Sequence, residues 1–290
     1  MLADRIKIAR GGRGVDIGVS IQWLLNCGAG QAGSCHGGST AGAYDFIERN
    51  GFIPFDTCLA YEACSSDSNE GKCGQTEGEY ACTVRSLLPG LFLRFAPALT
   101  RLRPQALNTC RTCSTFAESG GFCSAINVFP NATVAEYGRL SGEDAMQREV
   151  FARGPIACSL NAEPLHTYTG GVMRSDEPAS LNHAISIVGW GNDPKEGPYW
   201  IGRNSWGHYW GEMGFFRIER GNDTLGVESR CVWATPGSWT EINTACYEDG
   251  TNCIVEATYP EPGKQPVGLR VAHGARALLK TTGAATKAEL

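Results

Sequence analysis

A chain of 290 residues with 42% hydrophobic and 19% charged side chains has the composition of a globular protein with a substantial core. Its net charge of −5 argues against nucleic acid as a partner, and no basic run addresses an anionic membrane surface. Thirteen cysteines are too many for a reducing cytosol, and two Asn-x-Thr sequons, Asn131 and Asn222, agree with a secretory route to a lysosome, a vacuole or the extracellular space.

The first residues, MLADRIKIARGG, are charged and amphipathic, unlike a signal peptide. Leu2, Ile6 and Ala9 have helical spacing, and Gly11-Gly12 ends the segment. No Ser, Thr, Asp or Asn caps its start, which gives the expectation of a helix cut mid-turn and a missing front segment. A second helix is expected over Ser20–Asn26, with Ile21, Leu24 and Leu25 inward. The loop from Cys27 to Gly38 contains Gly28-x-Gly30-x-x-Gly33, a literal dinucleotide fingerprint. That motif needs a buried strand before it, and here a helix precedes and cysteines bracket the loop, so no nucleotide is expected. A third helix runs from a Ser39 or Thr40 cap to Asn50, burying Ala43, Phe46 and Ile47 and stopping at Gly51.

From Pro54 to Cys123 the chain reads as cysteine-rich loop, and Thr83–Leu107 within it lacks any steady period, as a surface insertion would. Cys110-x-x-Cys113 has no second pair of ligands at zinc spacing, so it reads as disulfide halves, with no metal or cofactor expected. Ser141 is expected to cap a fourth helix, with Asp144 at its third position, Met146 and Val150 on one face and Gly154-Pro155 as its stop. Short strands follow through Ile218. After Cys231 the composition turns polar, and Pro260–Leu290 is expected to be a flexible tail. Three parts result: a partial helical lobe with an insertion near 83–107 (1–135), a β-rich lobe (136–233) and a C-terminal extension (234–290).

The chemistry concentrates between Asn182 and Phe216. His183, Ile185 and Ile187 share one face at period two. Turn formers at 192–198 return the chain to a second run, Tyr199–Arg203, which brings Asn204 back beside His183. A carboxamide oxygen can accept the ring N–H, fix the tautomer and leave the other nitrogen as a base. His36, His166, His208 and His273 have no partner motif. Gly33-Ser34-Cys35-His36 is similar to the run around a peptidase nucleophile, but a reactive thiol is best placed at a helix N-terminus. His36-Gly37-Gly38 would break such a helix, so Cys35 is expected to be a disulfide cysteine.

Asn182-His183-Ala184, Gly189-Trp190-Gly191, Arg203-Asn204-Ser205-Trp206-Gly207 and Trp210-Gly211-Glu212 together resemble the papain-like cysteine peptidases. The resemblance spans about residues 1–82 and 108–233. It implies an α+β, two-lobed fold pairing a helical lobe with an antiparallel β-barrel-like lobe. It also implies hydrolysis of peptide bonds by a thiolate–imidazolium pair, without a cofactor, by a monomer acting on peptide or protein substrates. In that family His183 would be the general acid–base, Asn204 its orienter and Trp206 the shield over their bond. Gly37, Gly38, Asn182 and Ala184 would line the substrate cleft.

The resemblance further implies the disulfides Cys27–Cys64, Cys58–Cys110, Cys113–Cys123 and Cys158–Cys231. Proximity alone suggests Cys73–Cys82 and Cys246–Cys253, which leaves Cys35 over. The family pairs its equivalent of Cys35 with a cysteine just before the nucleophile. The nucleophile stands near the start of the helix whose later part resembles Leu2–Gly12. The expectation is a family site without its attacking thiol, inactive as a peptidase. The alternative is a secreted homologue that binds peptides without cutting them.

Overall fold

Short helices open the chain, most of them presenting a few apolar side chains and ending at a local stop. In the computed structural model, residues 1–63, 110–114, 122–126, 129–178, 180–242 and 270–273 are described. Helix α1 (Leu2–Ala9) has no side-chain cap, and it buries Leu2, Ile6 and Arg5. Ala9, which shares the helical spacing of Leu2 and Ile6, is exposed, and Arg5 takes the inward position, paired with Glu149. Helix α2 (Ile21–Cys27) is capped by Ser20, whose Oγ accepts the Trp23 N–H at 3.1 Å and donates to the Leu59 carbonyl at 2.7 Å. That double tie turns Trp23 fully inward against Phe46 and Phe52, leaving Ile21, expected inside, 59% exposed. Leu24 and Leu25 are half-buried.

A four-residue turn of helix, α3 (Ala29–Ala32), follows, then two minimal strands, β1 (Gly33–Ser34) and β2 (Gly37–Gly38), in an antiparallel pair. Helix α2 therefore stands where a dinucleotide loop would need a strand. Helix α4 (Thr40–Asn50) is capped by Ser39, which accepts the Gly42 N–H at 3.1 Å. Gly51 ends it in the left-handed region at φ 84°. It buries Ala41 and Ile47, while Ala43 and Phe46 are half-buried.

Nine strands form the main sheet in the order β3 (Ile53–Pro54), β6 (Asn131–Leu140), β12 (Cys231–Ile242), β7 (Ile156–Leu160), β9 (His183–Asp193), β10 (Gly197–Arg203), β11 (Phe215–Glu219) and β8 (Val172–Met173), with β13 (Arg270–His273) also paired to β12. Every neighbouring pair is antiparallel except β11–β8. Strand β12 runs well past Trp233 to Ile242, and residues 270–273, within the stretch expected to be flexible, form a strand on it. A separate pair, β4 (Arg111–Ser114) with β5 (Phe122–Ala125), sets Cys113 opposite Cys123. Helix α5 (Glu143–Arg153) starts at Gly142, φ 84°, without a side-chain cap, so Ser141 is not the expected cap; it lies one residue too early. Met146, Val150 and Glu149 are its buried residues.

Two cores result. One packs Met146, Ile156, Leu160, Ile187, Trp200, Phe216 and Ile218 around the central strands. The other joins Leu2, Ile6, Trp23, Ile47 and Ile53 to Ala132, Val134, Ala234 and Trp239 of β6 and β12. Cys58–Cys110 and Cys158–Cys231 are bridged, Cys27 is disulfide-bonded, and Cys35, the cysteine the expected pairing leaves over, is free and exposed. Cys64, Cys73, Cys82, Cys246, Cys253 and the 83–107 insertion lie outside the described residues. Among the described residues no helix is long and apolar enough to cross a membrane.

Candidate active site

Strand β9 starts at His183 because the residues before it are pinned. The Asn182 N–H donates to the Leu160 carbonyl at 3.1 Å, and its side-chain oxygen accepts the Ala162 N–H at 2.9 Å. Buried Asn161 donates from Nδ2 to the Pro178 carbonyl at 3.1 Å, holding the incoming loop. His183 thus pairs with Leu160 at the end of β7. Ile185 and Ile187 are buried, so the strand's two-residue period puts the half-buried His183 ring on the same face, at the strand's end.

The return strand is set by a tight turn in which Asp193 Oδ1 accepts the N–H groups of Lys195 and Glu196, at 2.8 and 3.0 Å. These two bonds hold the Asp193 carboxyl below its usual range. Strand β10 pairs with β9 through Trp200 opposite Trp190 to Arg203 opposite Ser186, with a register shift at Ile201/Gly202. Trp200, fully buried, donates its indole N–H to Glu228 at 2.7 Å. The hairpin delivers Asn204, 6% exposed, with its N–H bonded to the Gly214 carbonyl at 2.9 Å.

Asn204 Oδ1 lies 2.9 Å from His183 Nε2 and accepts the Ser205 N–H at 2.8 Å. A backbone N–H can only donate, so the atom it meets is the carboxamide oxygen. That oxygen cannot donate to the ring, so Nε2 carries the proton and neutral His183 has Nδ1 free. Among the described residues the ring makes no other hydrogen bond. The Asn204 Nδ2 is buried and has no hydrogen-bond partner among the described residues.

Trp206, half-buried, packs on His183 with ring centroids 5.2 Å apart. Its edge meets Trp210 at 5.3 Å and 83°, and Trp210 donates its indole N–H to the Leu165 carbonyl at 3.2 Å. Glu212 closes this loop onto the strands, bonding Arg217 at 2.7 Å and accepting the Gly171 N–H at 3.0 Å. The Arg217 hydrogen bond, aided by the Gly171 N–H and opposed by burial, holds the Glu212 carboxyl below its usual range.

His183, Asn204, Trp206 and Asn182 thus converge at the ends of β9 and β10, with exposed Ala184 next along β9. Gly37 and Gly38 form β2 of the β1–β2 hairpin and are exposed. Gly38 has no room for a side chain there, since a Cβ would strike the Ala32 carbonyl oxygen. Cys35 sits in the turn of that hairpin rather than at a helix start. His166, which has no partner motif in sequence, stacks on Trp206 at 4.8 Å and 13°. Only the folded positions of two distant segments reveal that contact.

The sequence profile of the papain family cysteine proteases matches residues 1–235. The chain belongs to that family. Its papain-family relatives include cathepsin Z of Onchocerca volvulus, 34% identical over 244 residues, covering 81% of this chain and 65% of that protein. Fruit bromelain of Ananas comosus is 45% identical over 105 residues, 35% of this chain and 29% of that one. The chain spans less than two thirds of the length of cathepsin Z and of the gut-specific cysteine proteinase of Caenorhabditis elegans. Digestive procathepsin L2 of Tenebrio molitor has a similar solved structure, with TM-score 0.55 and 26% identity over 81% of this chain and 58% of that one. Bromelain, at TM-score 0.54 and 22% identity over 81% and 84%, shares the fold. The papain-like α+β fold expected from the motifs is present.

Proposed function

We propose that this chain supplies the acid–base half of a cysteine peptidase of the cathepsin Z (cathepsin X) type, acting on peptide or protein substrates as a monomer. His183 is the general acid–base, Asn204 its orienter and Trp206 the cover over their bond. The observation that carries this reading is the Asn204 oxygen held by the Ser205 N–H, which leaves His183 Nδ1 as the only ring nitrogen able to exchange a proton with substrate. The thiol gives its proton to His183 Nδ1 and attacks the peptide carbonyl carbon as a thiolate, and Nδ1–H then passes that proton to the departing amine as the C–N bond breaks. Water, deprotonated by the same nitrogen, then releases the acyl group from sulfur.

Gly37, Gly38, Asn182 and Ala184 are assigned to the substrate cleft. Without side chains the two glycines let an extended peptide approach the backbone. Asn222, exposed on a turn, suits a glycan better than Asn131, whose amide nitrogen donates to the Phe129 carbonyl at 3.0 Å. The cysteine usage supports a lysosomal or extracellular setting.

Among the described residues no thiol is hydrogen-bonded to His183. Cys35 is exposed on its hairpin, and Cys27, Cys58, Cys110, Cys158 and Cys231 are in disulfides. We therefore assign the thiolate to a segment outside the described residues, which by family resemblance precedes α1, and expect these 290 residues alone to be inactive. Losing a nucleophile costs on the order of a millionfold in turnover. The test is hydrolysis of a fluorogenic peptide by this chain and by a version extended with a cysteine-bearing helical turn ahead of α1. Turnover is expected only from the extended protein and should vanish in His183→Ala. Peptide binding without turnover by the extended protein would favour the non-catalytic homologue. Cleavage by the 290 residues, abolished in Cys35→Ser, would overturn the proposal.

A further inference from the structure

We infer that His166 is a positioning residue for the His183–Asn204 pair, acting through the indole of Trp206. The inference rests on the acid–base role assigned to His183 above. His166 belongs to a 3-10 turn, Glu163–Thr167, that is not part of the β9–β10 hairpin. That turn grips the tryptophan pair at two consecutive residues. The Leu165 carbonyl accepts the Trp210 indole N–H at 3.2 Å, and the His166 ring lies nearly parallel to Trp206, with centroids 4.8 Å apart at 13°. Trp210 is itself wedged against Tyr168 and Phe216, at 5.6 and 5.9 Å, so one member of the pair is anchored in the core.

Trp206 is the member that touches His183, at 5.2 Å and 36°. Its edge contact to Trp210 supports one side only, and Trp206 is only partly buried. The parallel stack with His166 supplies the missing restraint on the ring's tilt. No ring contact joins the two imidazoles among the described residues, so Trp206 is the group they share. Leu165 is buried and the turn is fixed by backbone bonds, the Leu165 N–H to the Ala162 carbonyl and the Tyr168 N–H to the Leu165 carbonyl. The exposed His166 ring is therefore free of structural duty elsewhere. Its effect should be on water access to the His183 Nε2–H···Asn204 bond, and not on folding.

The ring N–H proton of His183 is the reporter, observed by 1H–15N NMR on the histidine-labelled 290-residue protein. Asn204→Ala assigns it, since its protection is lost with the acceptor. In His166→Ala, exchange of that proton with water is expected to accelerate about two- to tenfold, the range one aromatic stack can hold back. His166→Phe, which keeps a flat ring without a titratable nitrogen, should restore the wild-type rate to within about twofold, with the thermal midpoint unchanged in both variants. An unchanged rate in His166→Ala, or no recovery in His166→Phe, overturns the inference. A wild-type His183 proton without protection, or one indifferent to Asn204→Ala, would instead overturn the acid–base reading and this inference with it.

Discussion

Glu228 shows how far one carboxylate can act on a site it does not touch. Its Oε1 accepts both the Trp200 indole N–H and the Gly221 N–H, each at 2.7 Å, in a pocket where Glu228 is 6% exposed. Trp200 sits on β10 opposite Trp190, and this hairpin carries His183 and Asn204 together at its open end. Glu228→Ala leaves the buried Trp200 indole N–H and the Gly221 N–H without their acceptor and should cost about 1–3 kcal/mol, while Glu228→Gln keeps an acceptor oxygen and should cost about 1 kcal/mol. Urea midpoints at constant slope check both values; equal losses would mean the carboxylate oxygen is not what Trp200 needs. The His183–Asn204 pair was legible in sequence because alternation and a turn-rich loop are local signals. Glu228 was not, since nothing nearby in the chain marks a glutamate as the partner of a tryptophan. His166 was passed over for the same reason: its partner is a ring on another segment.

Among the elements, the loop from Ser205 to Gly214 depends on Glu212, which ties it to β11 through Arg217 and to the turn before β8 through the Gly171 N–H. The Arg217 bond lowers the folded-state pKa of Glu212, burial raises it by less, and the Gly171 N–H lowers it further. A carboxyl lowered on folding adds stability above its unfolded pKa of about 4.3, and loses that contribution as pH falls through the folded value. The thermal midpoint of the wild type should thus exceed that of Glu212→Gln at about pH 6, and the gap should close on the way to about pH 3. A gap independent of pH would show that the charge is immaterial. Element ends were legible where chemistry is local, as with the Ser39 cap and the Gly51 stop of α4. They were misread where tertiary contacts decide. Seven residues of α2 carry too few apolar positions to define a face, so the Ser20–Leu59 bond selects Trp23 over Ile21. At α5, a glycine at φ 84° takes the capping position because β6 occupies the chain through Leu140.

At the scale of the whole molecule, the two cores are joined by a buried ion pair and by shared strands. Arg5 of α1 bonds Glu149 of α5 at 2.9 Å with side-chain exposures of 1% and 7%, and it also donates to the Pro155 and Gly154 carbonyls. Burial pulls the Arg5 pKa down and the Glu149 contact only partly restores it, as expected for a desolvated pair. Arg5→Ala should cost about 1–3 kcal/mol in chemical denaturation, less than a fully stranded charge would, because Glu149 keeps Arg153 as its ion-pair partner. This pair was illegible in sequence, where Leu2, Ile6 and Ala9 marked the face of α1 and the partner lay 144 positions away.

The shared strands make a stronger demand. Strand β12 registers with β6 from Cys231 opposite Leu140 to Trp239 opposite Ala132, and the two feed Ala132, Val134, Ala234 and Trp239 into the helical core. Cys231 of the same β12 lies in the other core, with Leu140 of β6 packed against it. Neither core can open fully without breaking a ladder on which the other depends, so the two should unfold as one cooperative unit. Ile6→Ala in the helical core and Ile187→Ala in the β core should each cost about 2–5 kcal/mol. Each should speed hydrogen exchange alike in peptides covering Ile21–Cys27 and Gly197–Arg203, measured under conditions where global opening dominates. Acceleration confined to the mutated core would mean that β6 and β12 part at their middle, and that the lobes open independently around the cleft.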